Sequence, residues 1–149
     1  MVRYNFEFDA EQGVATCILT TKQGKVFVGM AICHPDDRDM MAQYTGQQIA
    51  EHRAIIKMLQ DIRDNELKSQ LKVLKMLQTN MSQSQHYNPK SYEACMLRKT
   101  MKLRQDELDE IKLLICQEKE DLHNFINDKD KAYKKVRAHR AEAAHKGQN

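Results

Sequence analysis

The sequence predicts an α+β, mostly α chain: a small N-terminal antiparallel β-sheet of two or three strands, then a long antiparallel two-helix coiled-coil hairpin. Three observations predict it. Three short stretches within residues 2–33 read as strands, the first alternating cleanly between apolar and polar residues. Residues 36–81 hold no proline and a single glycine, with apolar residues recurring about every 3.6 positions. Residues 89–145 carry an imperfect heptad, with Met101, Leu108, Ile115 and Leu122 spaced by seven. The expected organisation is a β-meander over 1–35 packed at the base of a hairpin over 36–149, with helices at about 36–81 and 89–145 joined by a loop at about 82–88.

The strands come first. Val2, Tyr4, Phe6 and Phe8 fall on one face, with Arg3, Asn5 and Glu7 on the other. Asp9–Gly13 is turn-forming. The next two strands, VATCILTT (14–21) and KVFVGMAIC (25–33), flank Gly24, which supplies the positive φ of a tight turn. A two-residue loop at Gln23–Gly24 pairs Lys22 with Lys25. That register puts Ala15, Cys17, Leu19, Val26, Val28, Met30 and Ile32 on the covered face.

Cys33-His34-Pro35-Asp36-Asp37 then reads as the end of a strand and the start of a helix. Proline suits the first helical turn, and Asp36, Asp37 and Asp39 complement the positive end of the helix dipole. His34 is read as a structural residue. In the first helix Ile49, Ile55, Ile56, Leu59, Ile62, Leu67, Leu71, Leu74, Leu77 and Met81 form the apolar stripe, and Gly46 is the place for a kink or a close approach. The polar stretch TNMSQSQHYNPKS (79–91) breaks the period, with Asn88 read as the N-cap and Pro89 as the first residue of the next helix. In the second helix Leu97, Ile111 and Phe125 fill the alternate heptad row, which Arg104 and Glu118 interrupt. Tyr133 and Val136 fall where the helix end returns beside the sheet. Neighbours such as Ile55–Ile56 and Leu113–Leu114–Ile115 cannot all be hidden in a two-helix hairpin, so a partner or a second copy is expected.

Composition narrows the function classes. The chain has 149 residues, no Trp, two Pro, five Gly and a net charge of +3, too small for an argument about partners from charge alone. The four cysteines form no CxxC pair and are expected as reduced thiols. Charges interrupt the first residues, so no signal peptide is expected, and no apolar run of membrane-spanning length occurs. An intracellular protein without a membrane partner is expected.

Candidate chemistry is sparse. Glu51-His52-Arg53 lacks the second His of a zincin helix, the paired carboxylates at 106–110 and 118–121 recur as a solvated helical face, and no glycine-rich phosphate loop or activated nucleophile is present. No enzyme activity, cofactor or metal is expected. Residues 129–146 hold seven Lys or Arg and two acids, a local charge of +5, which leaves −2 for the rest of a chain whose total is +3. Lys131, Lys134, Lys135, Arg137 and Arg140 are candidates for phosphate contact and Tyr133 for base stacking. The plainer alternative is a solvated helix end whose cations complement the dipole. His86, Tyr87 and Asn88 in the inter-helix loop are a second candidate contact surface.

The segments VGMAICHPDD, DIRDNELKSQLKVLK and HYNPKSYEACMLRK resemble a family of small accessory proteins from bacteriophages that infect Gram-positive bacteria. The resemblance covers most of the chain. It implies a protein of the host cytoplasm that binds and blocks host machinery, such as a CRISPR effector. The expected partner is therefore a host protein or protein–nucleic-acid complex, with direct nucleic-acid binding and a homo-oligomeric helical scaffold as the alternatives.

Overall fold

The computed structural model describes residues 2–33 and 43–147; the His34–Pro35 junction and the acidic helix start at Asp36, Asp37 and Asp39 lie outside them. The chain is mostly helical, with a three-stranded antiparallel sheet ahead of the helices. The sheet runs in the order β1 (Arg3–Asp9), β2 (Val14–Thr20), β3 (Val26–Ile32). The helices are α1 (Gln43–Asp61), α2 (Lys68–Ser82) and α3 (Tyr92–Gly147), and a π-helical turn (Ile62–Leu67) joins α1 to α2. No helix among the described residues is long and apolar enough to cross a membrane. Two compact units result: residues 1–57 with 117–149, and residues 58–116.

The first unit is built on the sheet. At the β1–β2 turn, Asp9 Oδ1 accepts the backbone N–H groups of Glu11 and Gln12 at 3.0 and 3.1 Å, and Gly13 takes a φ of 67°. The β2–β3 turn corrects the expected register. Thr20 pairs with Val26, Thr21 N–H donates to Lys25 O at 2.9 Å, and the loop is Lys22-Gln23-Gly24 with Gly24 at φ 86°. This is the three-residue hairpin with its last residue left-handed. The extra loop residue reverses the faces of β3. Cys17 now lies opposite Gly29, Ala15 opposite Ala31 and Leu19 opposite Phe27. The covered face is therefore Ala15, Cys17, Leu19, Gly29 and Ala31, with Tyr4, Phe6 and Phe8 alongside through β1.

Small residues win on that face because α1 lies directly on it. Ala50 and Ala54 are fully buried, and a Cβ built on Gly29 would meet the backbone O of Ala50 and sit 2.5 Å from the backbone N of Ala54. Arg53 and Lys57, on the same helix, reach the sheet edge. Each donates, at 2.6 Å, to a backbone carbonyl of β3: Arg53 Nη1 to Met30 O and Lys57 Nζ to Val28 O. Tyr133 faces this unit from α3, whereas Val136 stays exposed.

In the second unit the apolar spacing explains the π turn. Ile62 and Leu67 are five residues apart, one more than an α-helix aligns. A hydrogen bond from Lys68 N to Arg63 O, spanning five residues, widens the turn and returns both to one face. The irregularity thus sits at 62–67, while Gly46 is buried within α1. Leu67, Leu71 and Leu108 form the buried cluster, with Ile62 and Ile111 packed against it. The start of α3 also differs from expectation. Asn88 Oδ1 accepts from Lys90 N at 3.0 Å in a local turn, and Ser91 is the cap, its Oγ accepting from Ala94 N at 3.2 Å. The helix begins at Tyr92 rather than Pro89.

Candidate interaction surfaces

The basic end of α3 carries both half-buried and exposed side chains. Tyr133 is half-buried and lines, with Ile32, Ile49, Arg53, Ile126 and Lys129, a cleft of about 220 Å³. Lys131 and Lys135 are exposed, and Arg137 lies one turn after Tyr133 on the same helix. Asp130 holds part of the positive charge, with Lys134 Nζ at 3.1 Å and Arg137 at 3.8 Å. Arg140 is exposed. In the loop, His86 and Asn88 are exposed and Tyr87 is half-buried, its N–H donating to Ser84 O at 3.2 Å.

His52 and Glu118, each unremarkable in sequence, meet. Nδ1 of His52 lies 2.5 Å from Oε1 of Glu118, and the His52 ring lies 6.4 Å from that of Phe125. Glu118 therefore fills its interrupted heptad position by pairing with α1. Close by, burial pushes the Tyr4 hydroxyl up, helped by Glu51, Cys17 and Glu118. Burial likewise pushes the Cys17 thiol up, with Glu51 adding to it. A fully buried thiol held in its neutral form is the opposite of an activated nucleophile. Among the described residues, no group of three or more His, Cys, Asp or Glu is placed to hold a metal ion.

None of the four cysteines is disulfide-bonded; Cys17 and Cys33 are buried, Cys95 is half-buried and Cys116 is exposed. A thiol reagent is expected to label native protein first at Cys116, then at Cys95, with Cys17 and Cys33 reacting only in denaturant. Mass spectrometry of the quenched reaction checks the order, and early labelling of Cys17 would show that the sheet face is open.

Two surfaces were not foreseen. The first is the outer side of β3, where Val26, Val28, Met30 and Ile32 are 55, 36, 46 and 71% exposed. An antiparallel sheet with a solvated face ordinarily turns polar residues outward, as β1 does here with Arg3, Asn5, Glu7 and Asp9. The second is a groove between α2 and α3 in the second unit, about 630 Å³, with Leu71 and Leu108 at its floor. Lys68, Lys72 and Lys75 line it from α2 and Lys112 from α3. Arg63 and then Lys68 pull the Asp64 carboxyl down to about 2, so Lys68 is already compensated. Lys72, Lys75 and Lys112 have no anionic partner among the described residues.

Comparison with protein-family models, with curated proteins and with solved structures finds no match for this chain.

Proposed function

We propose that the protein is a non-enzymatic interaction module that binds a host protein complex and inhibits it, with the outer side of β3 as a principal contact. The observation that carries this reading is the run of four exposed apolar side chains, Val26, Val28, Met30 and Ile32, on one strand. Contiguous apolar surface of this kind marks protein-binding sites. The partner packs on the face and does not add a strand, because Arg53 and Lys57 already occupy the edge carbonyls of Met30 and Val28. The helices form an antiparallel coiled-coil hairpin in this reading. Burial of Leu108, Ile115 and Leu122 at a spacing of seven and the Leu67–Leu71–Leu108 cluster support it. A phage origin and a defence complex as target rest on the sequence resemblance.

The test is affinity capture from a Gram-positive bacterial lysate, with and without nuclease, using wild type and a Val28→Asp/Ile32→Asp variant. Both positions are exposed, so circular dichroism is expected to be unchanged. A host protein retained by wild type despite nuclease, and lost in the variant, is the expected result. Equal retention by the variant would remove the β3 face from the reading. Loss on nuclease treatment would favour nucleic-acid binding by the exposed Lys131 and Lys135 instead.

A further inference from the structure

The lysine groove of the second unit goes beyond that reading, because its complement is carried by the same chain. On the solvent side of α3, Leu103, Asp106, Glu110 and Leu113 recur at helical spacing, one turn after Lys99. Leu103 and Leu113 are 61 and 70% exposed. Asp106 and Glu110 are exposed and have no cationic partner among the described residues, whereas Glu107 is held by Arg104 at 2.8 Å and Asp109 by Gln105 at 3.0 Å. The unit thus has a row of uncompensated cations over an apolar floor, and a separate row of uncompensated carboxylates between two exposed leucines.

We infer that the groove binds the Leu103–Leu113 face of a second copy of this chain. Charge complementarity is the first argument. Lys72, Lys75 and Lys112 gain carboxylate partners, and Asp106 and Glu110 gain cations. Size is the second: at about 1.5 Å per residue, Lys68–Thr79 and Leu103–Leu113 span about 16 and 15 Å. The third is the mixture of chemistries. Met76 is 58% exposed at the groove wall and adapts to apolar side chains, so leucines flanking the acids bury surface that a phosphate backbone would leave wet. Among the described residues, no aromatic side chain lines the groove to stack on a base. The interface joins two different patches, so it closes as a reciprocal dimer or continues as a chain of copies.

Sedimentation velocity at low and high salt tests the assignment with four samples: wild type, Lys72→Glu/Lys75→Glu, Asp106→Lys/Glu110→Lys, and an equimolar mixture of the two variants. All substitutions are at exposed positions, and circular dichroism verifies that each variant folds. Wild type is expected to associate at low salt and to weaken as salt rises. Each variant is expected to be monomeric. The mixture is expected to regain the wild-type mass, because each variant's altered patch then meets its complement on the other. A wild type that stays monomeric at low salt, variants that associate as wild type does, or a mixture that stays monomeric would each overturn it. So would a monomeric wild type whose groove binds a labelled poly-glutamate peptide or oligonucleotide, with binding lost in Lys72→Glu/Lys75→Glu; the groove would then belong to another polyanion.

Discussion

Replacing Gly29 by alanine is expected to destabilise the protein by about 3 kcal/mol, the upper end for adding one carbon to a packed interior. The reason is backbone, not side chain. The new Cβ would meet the main-chain O of Ala50 and the main-chain N of Ala54, 2.5 Å away in the latter case. A flexible side chain can rotate out of such a clash; a helix backbone can only translate. Moving α1 off the sheet also strains the bonds from Arg53 to Met30 O and from Lys57 to Val28 O. Urea unfolding measures the loss. With a slope of about 1–3 kcal/mol/M, the midpoint falls by roughly 1–3 M. Gly24→Asn is the comparison. Gly24 needs its φ of 86°, and a Cβ there would have nothing within 4 Å, so asparagine, which tolerates that region, costs little. Loss of less than about 0.5 kcal/mol in Gly29→Ala, within ordinary surface effects, would mean that the helix does not sit this close to the strand.

The same glycine shows what the sequence conveys and what it does not. The strands were legible, because Asp9–Gly13 and Gly24 punctuate them and Tyr4, Phe6 and Phe8 alternate cleanly with polar residues. In β3 the signal fails. VFVGMAI offers no polar residue at any position, so period two is silent, and the bulkier set Val26, Val28, Met30 and Ile32 looks like the core. The set that is covered includes the small Gly29 and Ala31, and at Gly29 the helix backbone at Ala50 and Ala54 comes too close for a side chain. Room for backbone approach, not hydrophobicity, decides the face, and room is a property of the pair. The difference is one loop residue, enough to reverse a strand.

The helical surfaces divide in the same way. The seven-residue spacing of Leu108, Ile115 and Leu122 marks three residues that are buried. Lys68, Lys72 and Lys75 lie on one side of α2 by spacing alone, but a groove needs Gln105, Leu108 and Lys112 across from them, and that pairing is set by packing. His52 and Glu118 are 66 residues apart, and a polar residue at a heptad position reads only as a flaw until its partner is placed. At the start of α3, Asn88 and Ser91 are both good capping residues; Asn88 is taken by its own turn with Lys90, which leaves Ser91.

Leu108→Ala is expected to cost about 2–5 kcal/mol, the range for removing a buried leucine side chain. Alanine is the strongest helix former, so α3 loses nothing in propensity and the whole effect is packing. Among the described residues, Leu67, Leu71 and Leu108 make up this buried cluster, and Ile62 and Ile111 cover its margin. Leu103→Ala is the matched control: same helix, same chemical change, but 61% exposed, so in dilute solution it is expected to cost less than about 0.5 kcal/mol. The difference between the two midpoints in urea isolates burial from helix propensity. Amide exchange gives the second readout, with protection in Lys68–Ser82 expected to fall in Leu108→Ala because Leu71 loses its partner. Equal costs at the two positions would mean that α2 and α3 do not pack through these leucines, and the lysine groove, whose floor is Leu71 and Leu108, would lose its foundation with them.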